Sequence, residues 1–164
     1  MATKRKSRAE GHRRKFLAVV DDTPECTRAL LFAGQRALHT SGALVLLYVI
    51  APSEFTQWAG VENIMRAEAV ETAEAALGKA ADLVRENTGL EPQVVIREGG
   101  RAEEVIKLIE EDEDIAILVL AAGTDSEGPG PLVSALIGKG VATFPVPITV
   151  VPGHLDDETV AAVA

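Results

Sequence analysis

Cysteine, aromatic residues and long apolar runs are scarce in this chain, and each scarcity excludes a class of protein. The single cysteine, Cys26, cannot form an internal disulfide, as is typical of a reducing compartment. Aromatic residues are 4% of the chain and apolar residues 47%, so alanine, valine, leucine and isoleucine must build the core. No apolar run approaches the roughly 20 residues of a membrane span. The N-terminus has no apolar signal segment, so we expect a cytoplasmic protein without a membrane partner.

Established phosphate and metal motifs are also missing. No G-x-G-x-x-G follows the first predicted strand, which argues against a dinucleotide site. Gly138-Lys139 is similar to the end of a P-loop, but Val133 replaces its first glycine and Gly140 its magnesium-binding hydroxyl residue. Cysteine and histidine lack zinc-site spacing, and no histidine stands beside a nucleophile. We therefore predict no resident metal site and no catalytic residue.

Positive charge is concentrated at the N-terminus. Residues 1–15 contain seven of the 16 lysines and arginines and one acidic residue, Glu10. The rest of the chain carries nine basic and 24 acidic side chains, a net charge of −15. So acidic a body repels a phosphate backbone, which makes nucleic acid an unsuitable general partner. We interpret residues 1–15 as a disordered basic arm; contact with an acidic surface or RNA is the alternative.

Five short, continuously apolar runs alternate with helical patterns along the rest of the chain. Apolar runs of this kind indicate strands that are covered on both faces. The predicted strands are Phe16–Val20, Ala43–Ile50, Gln93–Arg97, Ile115–Ala121 and Ile148–Val151. The predicted helices begin near Pro24 and span about Val61–Asn87, Ala102–Glu111 and Leu132–Val141. The alternation predicts a single α/β domain at residues 16–152, with a parallel sheet between helices, and an acidic, fraying tail at residues 153–164.

Two predicted loops have the chemistry of a ligand site. In parallel sheets, ligands bind beyond the carboxyl ends of the strands, where strand order reverses. One loop, Asp21-Asp22-Thr23, follows the first strand, and a glycine-rich loop from Gly123 to Pro131 follows the fourth. Glycines let backbone N–H groups approach an anion closely, so the second loop either binds phosphate or only permits a tight turn. The two aspartates either accompany Mg²⁺ and a nucleotide or cap the following helix.

Several segments together resemble the universal stress protein family. Residues 19–25, Val-Val-Asp-Asp-Thr-Pro-Glu, are similar to that family's V-D-G-S-E opening. Residues 98–105, Glu-Gly-Gly-Arg-Ala-Glu-Glu-Val, resemble its E-G-x-P-A-E-E-I turn. Residues 118–123, the glycine-rich loop and the Pro145–Val151 strand resemble its closing third. The resemblance covers about Phe16 to Pro152, with the order of elements intact.

This resemblance implies a fold, an assembly and a ligand. It implies a five-stranded Rossmann-like sheet in the order 3-2-1-4-5, of the adenine nucleotide alpha hydrolase-like type. It also implies a homodimer formed through the Ile148–Val151 strand, whose exposed edge requires a partner. The ligand is an adenine nucleotide, ATP with or without Mg²⁺, with Asp21 and Val49 at the family's adenine-contacting positions.

The glycine motif departs from the family pattern G-x2-G-x9-G-[S/T]. Gly128 and Gly138 keep the nine-residue spacing, but Asp125 replaces the first glycine and Lys139 the final hydroxyl residue. Asp125 and Glu127 repel phosphate unless they bind Mg²⁺ or point outward, and Lys139 could offset them. The resulting candidate nucleotide-binding residues are Asp21, Asp22, Val49, Gly123, Thr124, Gly128, Gly130, Ser134, Gly138 and Lys139.

Two functions remain open at this point. The first is an ATP-binding regulatory homodimer of the stress response, with slow hydrolysis at most because no residue stands out as a base for water. The second is a scaffold that has lost nucleotide binding and contacts an unknown protein partner. An ATP-using transferase of related fold is disfavoured, because the S-G-G-x-D-S type loop is absent after the first strand.

Overall fold

The computed structural model describes residues 3–52 and 59–164, with only the backbone described at residues 59–62 and 139. Five strands and five helices alternate along these residues, with a 3₁₀ helix at Lys139–Thr143. The strands are β1 (Lys15–Val19), β2 (Ala43–Ile50), β3 (Gln93–Glu98), β4 (Ile115–Ala122) and β5 (Ile148–Pro152). The helices are α1 (Cys26–His39), α2 (Ala59–Thr88), α3 (Arg101–Glu111), α4 (Pro131–Ile137) and α5 (Asp157–Val163).

The strands form one parallel sheet in the order β3-β2-β1-β4-β5, which confirms the predicted topology. Side chains alternate across the sheet, so β1 contributes to two apolar layers. Phe16 and Ala18 pack beneath α1 and α2, while Leu17 and Val19 pack beneath α3 and α4. Since both faces of β1 are buried, its sequence is continuously apolar. The strand order makes β1 and β4 neighbours, with their carboxyl ends at one edge.

Small residues bring α1 close to the sheet. Ala29, Ala33 and Ala37 recur at helical spacing and are 2% exposed or less. The helix ends at Thr40 and is followed by Ser41, whose φ of 54° is in the left-handed region. This turn returns the chain directly into β2, as the Ser41-Gly42 pair predicts.

The C-terminal segment differs from its sequence-based prediction. We expected residues after His154 to fray, but they form α5, whose Asp156 Oδ1 accepts a hydrogen bond from the Thr159 N–H at 2.8 Å. Val160 is fully buried against the α1 side of the sheet. Arg28 donates to the Leu155 carbonyl at 3.0 Å and pairs with Asp157. The prediction of fraying was wrong because it was based on the acidic residues of this segment and did not consider that Val160 could be buried.

The basic arm makes specific contacts within its described part. Arg5 Nη1 donates to the carbonyl oxygens of Ile109, Asp112 and Ile115, at 2.5, 3.1 and 3.2 Å. The Lys6 N–H donates to the Glu113 carbonyl at 2.9 Å. The arm therefore satisfies carbonyls at the end of α3, where a helix leaves them without partners. These contacts contrast with the disorder expected for the arm. The predicted division of the chain at residues 15 and 152 stays a prediction.

Helix α4 is shorter than the sequence pattern predicts. It stops at Ile137, and after Gly138 the chain continues as the 3₁₀ helix rather than reaching Val141 in one helix. Among the described residues, no helix is both long and apolar enough to cross a membrane.

Candidate functional site

The loops that follow β1 and β4 enclose a crevice at the carboxyl edge of the sheet. Its volume is about 40 Å³. The residues that line it from the β1 side include Asp21, Thr23, Glu25 and Cys26, and those from the β4 side include Leu120, Pro129 and Pro131. Arg101, the first residue of α3, completes the lining. The two loops that the sequence singled out are therefore adjacent, because β1 and β4 are neighbours.

Asp21 is fixed by the turn that it begins. Its Oδ1 accepts hydrogen bonds from the Thr23 N–H at 3.0 Å and the Thr23 hydroxyl at 2.5 Å. These bonds belong to an Asx turn, in which the side chain replaces a backbone acceptor. Oδ2 makes no hydrogen bond within the described residues, so one carboxylate oxygen is available to a ligand. Asp22 is exposed and lines a different cavity, described below.

The glycine-rich loop folds back over the end of β4. The Gly123 N–H donates to the Pro129 carbonyl at 2.9 Å, which closes the loop on itself. Gly128 and Gly130 have φ values of 100° and 109°, which favour glycine strongly. Asp125 accepts a hydrogen bond from the Glu127 N–H at 3.0 Å, and both acidic side chains are exposed.

Glu25 limits the space beside this loop. A Cβ atom added to Gly123 would lie 3.1 Å from Glu25 Oε1, so the carboxylate is in near contact with the loop backbone. A Cβ atom on Gly153, after β5, would lie 2.9 Å from the Glu25 Cβ. The charged residues that line the crevice are therefore two carboxylates, Asp21 and Glu25, and one cation, Arg101.

A second small cavity lies at the end of β2. Its volume is about 120 Å³, and its lining combines β2, α2 and α3: Tyr48, Val49, Ile50, Ala51, Ala69, Thr72 and Arg101. Val49, the residue predicted to contact adenine, is buried here. Arg101 lines both this cavity and the crevice, so the two spaces lie on either side of one side chain.

The remaining predicted residues lie outside both cavities. Ser134 is exposed on α4, and its carbonyl accepts a hydrogen bond from the Gly138 N–H at 3.2 Å. Thr124 is exposed and packs beside Gly153. The side chain of Lys139 is outside the described part of the chain. The assignment of these residues to a nucleotide site stays a prediction.

Arg101 and Glu25 were missed as site residues by the sequence analysis. Both were quoted within family-like segments, but only for the resemblance. A signal was present: Arg101 follows β3 after two glycines, and the carboxyl end of β3 lies at the same edge as those of β1 and β4. Glu25 likewise belongs to the loop after β1.

A groove of about 640 Å³ lies between α1 and α2. Cys26 and Leu30 contribute to it from α1, and Ala76, Ala80 and Leu83 from α2. Burial raises the pKa of Cys26 to about 11, and its thiol donates to the Val19 carbonyl at 3.6 Å. At neutral pH the thiol is protonated and a poor nucleophile, so this cysteine is structural.

Carboxylates in the crevice do not form a metal site. Among the described residues, no three histidine, cysteine or carboxylate side chains are grouped so as to hold a metal ion. A divalent cation at Asp21 would therefore need further oxygen ligands from another molecule, such as phosphates.

Comparison with known proteins identifies the relatives of this chain. A family model described as the universal stress protein family matches residues 12–152. The fold is similar to that of universal stress protein UspA from Lactobacillus plantarum, with a TM-score of 0.68 and 20% identity. That similarity covers 85% of this chain and 97% of the Lactobacillus chain. No curated protein matches the sequence.

Two further similar structures contain adenine nucleotides. One is a universal stress protein in complex with cAMP, with a TM-score of 0.58, 16% identity and coverage of 86% of this chain and 98% of that one. The other is the universal stress protein from Archaeoglobus fulgidus in complex with dAMP, with a TM-score of 0.58 and 15% identity. It is matched over 84% of this chain and 96% of its own. At these identities the likeness establishes a shared fold.

Proposed function

This chain belongs to the universal stress protein family, and on that premise we propose that it is a regulatory protein that binds an adenine nucleotide. The nucleotide, ATP with or without Mg²⁺, would occupy the crevice between the β1 and β4 loops and the adjoining cavity at the end of β2. The binding of cAMP and dAMP by proteins of the same fold supports this class of ligand. The cytoplasmic location stays a prediction.

The placement of Arg101 is the observation that carries the proposal. Arg101 lines both the cavity that contains Val49 and the crevice that contains Asp21. Val49 and Asp21 are the two predicted adenine-contacting residues, so Arg101 borders both spaces proposed for the nucleotide. Arginine suits the junction because its guanidinium binds phosphate and stacks on planar rings.

The residues fit a base and ribose better than they fit a triphosphate. The crevice holds about 40 Å³, and Pro129 closes it through the Gly123 N–H. Gly128 and Gly130 provide the backbone freedom for the loop to open. Binding would thus rearrange the loop, and we propose that this change alters which protein the chain accepts as a partner.

Mg²⁺ would be supplied with the nucleotide. Asp21 would provide a carboxylate from the crevice, with Asp22 next to it in the chain, and phosphate oxygens would complete the coordination. Slow hydrolysis at most is expected. His12 and His39 lie at the opposite end of the sheet from the crevice, where His12 pairs with Asp114 and His39 contacts the Ala164 carbonyl.

Nucleotide content tests the proposal directly. We expect the protein, purified without added nucleotide and then denatured, to release ATP or AMP in near-stoichiometric amount on anion-exchange chromatography. Replacing Arg101 with alanine should weaken ATP binding by about ten- to a hundredfold, since a charged hydrogen bond contributes about 1.5–3 kcal/mol. Isothermal titration of the stripped protein measures this difference.

The matched control is Arg97→Ala, on β3. Arg97 pairs with Glu111 and lines neither cavity, so its loss removes the same charge without touching the site. An empty protein that shows no thermal shift with millimolar Mg-ATP would refute nucleotide binding. Equal losses in the two variants would show that Arg101 acts only through net charge.

We also propose a homodimer formed through β5. This strand lies at the edge of the sheet and pairs with β4 alone, while its Ile148, Thr149 and Val150 are half-buried. An unpaired edge of this composition is a site for strand addition. Sedimentation velocity should give twice the 17.3 kDa mass of one chain.

A lysine in β5 should dissociate this dimer. We expect Val150→Lys to sediment as a folded monomer, because a charge on the edge strand opposes pairing. The control is Val94→Lys on β3, the opposite edge strand, where Val94 is 51% exposed. A dimer that survives Val150→Lys but not Val94→Lys would place the interface at β3 instead.

The closed crevice favours a second candidate function. With the Gly123 N–H bonded to the Pro129 carbonyl and Glu25 beside them, the loop is closed and leaves a crevice of only about 40 Å³. A scaffold that contacts a protein through its exposed, acidic loop would need no nucleotide. It predicts empty protein on purification and partner binding that nucleotide does not change.

A further inference from the structure

A cationic cavity lies at the amino end of the sheet, remote from the crevice. It forms where the basic arm meets the turn between α1 and β2, and its volume is about 290 Å³. Its lining includes Arg8, His12, Arg13 and Arg14 from the arm and Thr40 and Ser41 from the turn. This position makes it independent of the proposed nucleotide site.

The positive charges of this cavity are not neutralised within the described structure. None of the ion pairs among the described residues involves Arg8, Arg13 or Arg14. Arg13 Nε donates to the Ser41 carbonyl at 3.1 Å, which holds the side chain in place but leaves its charge unpaired. Arg14 Nε is buried and has no hydrogen-bond partner among these residues. A buried donor left without a partner destabilises the fold, so an acceptor at this position would be favourable.

Two other cations of the arm form ion pairs with acidic residues outside the cavity. Lys6 pairs with Glu113 at 3.2 Å, and Lys15 with Asp112 at 2.7 Å. His12, on the rim of the cavity, contacts Asp114 at 2.6 Å. The acidic residues at this end of the molecule therefore pair with Lys6, His12 and Lys15, and not with the three arginines.

Arg14 is held in this repulsive environment by packing. Its guanidinium lies 5.4 Å from the centre of the Phe16 ring, a cation–π contact. The pKa of Arg14 is lowered, first by burial and then by repulsion from Arg8 and Arg36. Arg36 also has no ion pair among the described residues. An anion in the cavity would relieve this repulsion and supply the missing acceptor.

We propose that this cavity binds a small phosphate-bearing anion through Arg8, Arg13 and Arg14. Arginine favours phosphate because its planar fork of N–H donors matches the phosphate oxygens. The volume admits a group of pyrophosphate size together with part of a carrier molecule. An extended nucleic acid fits less well, because it would run from the cavity onto a body with a net charge of −15.

Titration of the full chain with inorganic pyrophosphate at low ionic strength tests the proposal. We expect saturable binding at one site per chain. The double variant Arg8→Gln/Arg14→Gln should lower the affinity by tenfold or more. Arg8 is exposed, so Arg8→Gln alone is expected to fold normally and to lower the affinity in the same direction.

The matched control is Arg85→Gln/Arg97→Gln, which removes the same charge from surface ion pairs outside the cavity. Its pyrophosphate affinity should equal that of the unmodified chain, as should that of Gly128→Val. The proposal is overturned by the absence of binding at millimolar pyrophosphate, or by equal losses in the pocket and control variants. It is also overturned if Gly128→Val abolishes binding, or if a short single-stranded RNA binds tenfold more tightly than pyrophosphate.

Discussion

Replacing Gly128 with valine is expected to weaken ATP binding by about 5- to 150-fold. Gly128 has a φ of 100°, a region that a β-branched residue occupies only at a cost of about 1–3 kcal/mol. No atom lies within 4 Å of the added Cβ, so the expected effect is conformational rather than steric. Valine also restricts the backbone freedom with which the loop opens, so the variant loop reaches the proposed ligand-bound conformation at a higher cost. Isothermal titration of the variant with Mg-ATP measures the loss.

Gly89→Val is the matched control for this substitution. Gly89 has a φ of 75°, nothing lies within 4 Å of its added Cβ, and it follows α2 at the opposite end of the sheet. The control should lose thermal stability and keep its nucleotide affinity. If Gly128→Val binds ATP as the unmodified chain does, the loop takes no part in the site. If partner binding is unchanged in a chain that never binds nucleotide, the scaffold function is favoured.

The strands could be predicted from the sequence because burial on both faces makes each of them a run of apolar residues. Ala43–Ile50 was predicted to the residue, since eight consecutive apolar residues are covered on both faces. Strands β3, β4 and β5 extend one residue beyond their predicted ends, and β1 is shifted by one residue towards the N-terminus. Strand order came from the family resemblance, since apolar runs in a parallel sheet do not specify their neighbours.

The structure of the two termini could not be predicted, because each terminus is held by contacts with residues that are distant in the sequence. Composition describes residues 1–15 as a solvated arm, yet Arg5 bonds three carbonyls around the end of α3. One buried residue, Val160, similarly fixes α5. Such contacts join residues more than 100 positions apart and have no local pattern in the sequence.

Sequence analysis located a candidate site residue in a cavity only where that residue lies at the carboxyl end of a predicted strand. Asp21 lies in the crevice because it follows a central strand, and Val49 lies in the adjoining cavity for the same reason. Gly138 was assigned by motif spacing and Ser134 by its position in the first turn of the helix after the loop, and both assignments stay predictions. Arg101 follows an outer strand, and only the three-dimensional structure shows that it lines both cavities.

Two substitutions of glycine by alanine should change stability in opposite directions. In Gly42→Ala the new Cβ would lie 2.8 Å from the Arg14 carbonyl oxygen, so β1 and the α1–β2 turn must separate. We expect the free energy of unfolding to fall by about 1–3 kcal/mol. In Gly78→Ala, inside α2, nothing lies within 4 Å, and an increase of about 0.5–1 kcal/mol follows from helix propensity. Urea denaturation of both variants measures the two changes.

The Gly42→Ala and Gly78→Ala variants also test the structure of the cationic cavity. The Arg14 carbonyl that Gly42 approaches also accepts the Ala43 N–H at 2.9 Å, so this backbone contact sets the position of the Arg14 side chain. We therefore expect Gly42→Ala to weaken pyrophosphate binding as well as stability, and Gly78→Ala to leave binding unchanged. If the free energy of unfolding changed equally in the two variants, the turn could move away from β1 without loss of stability. In that case the arginine cluster would not depend on the close approach of these two segments.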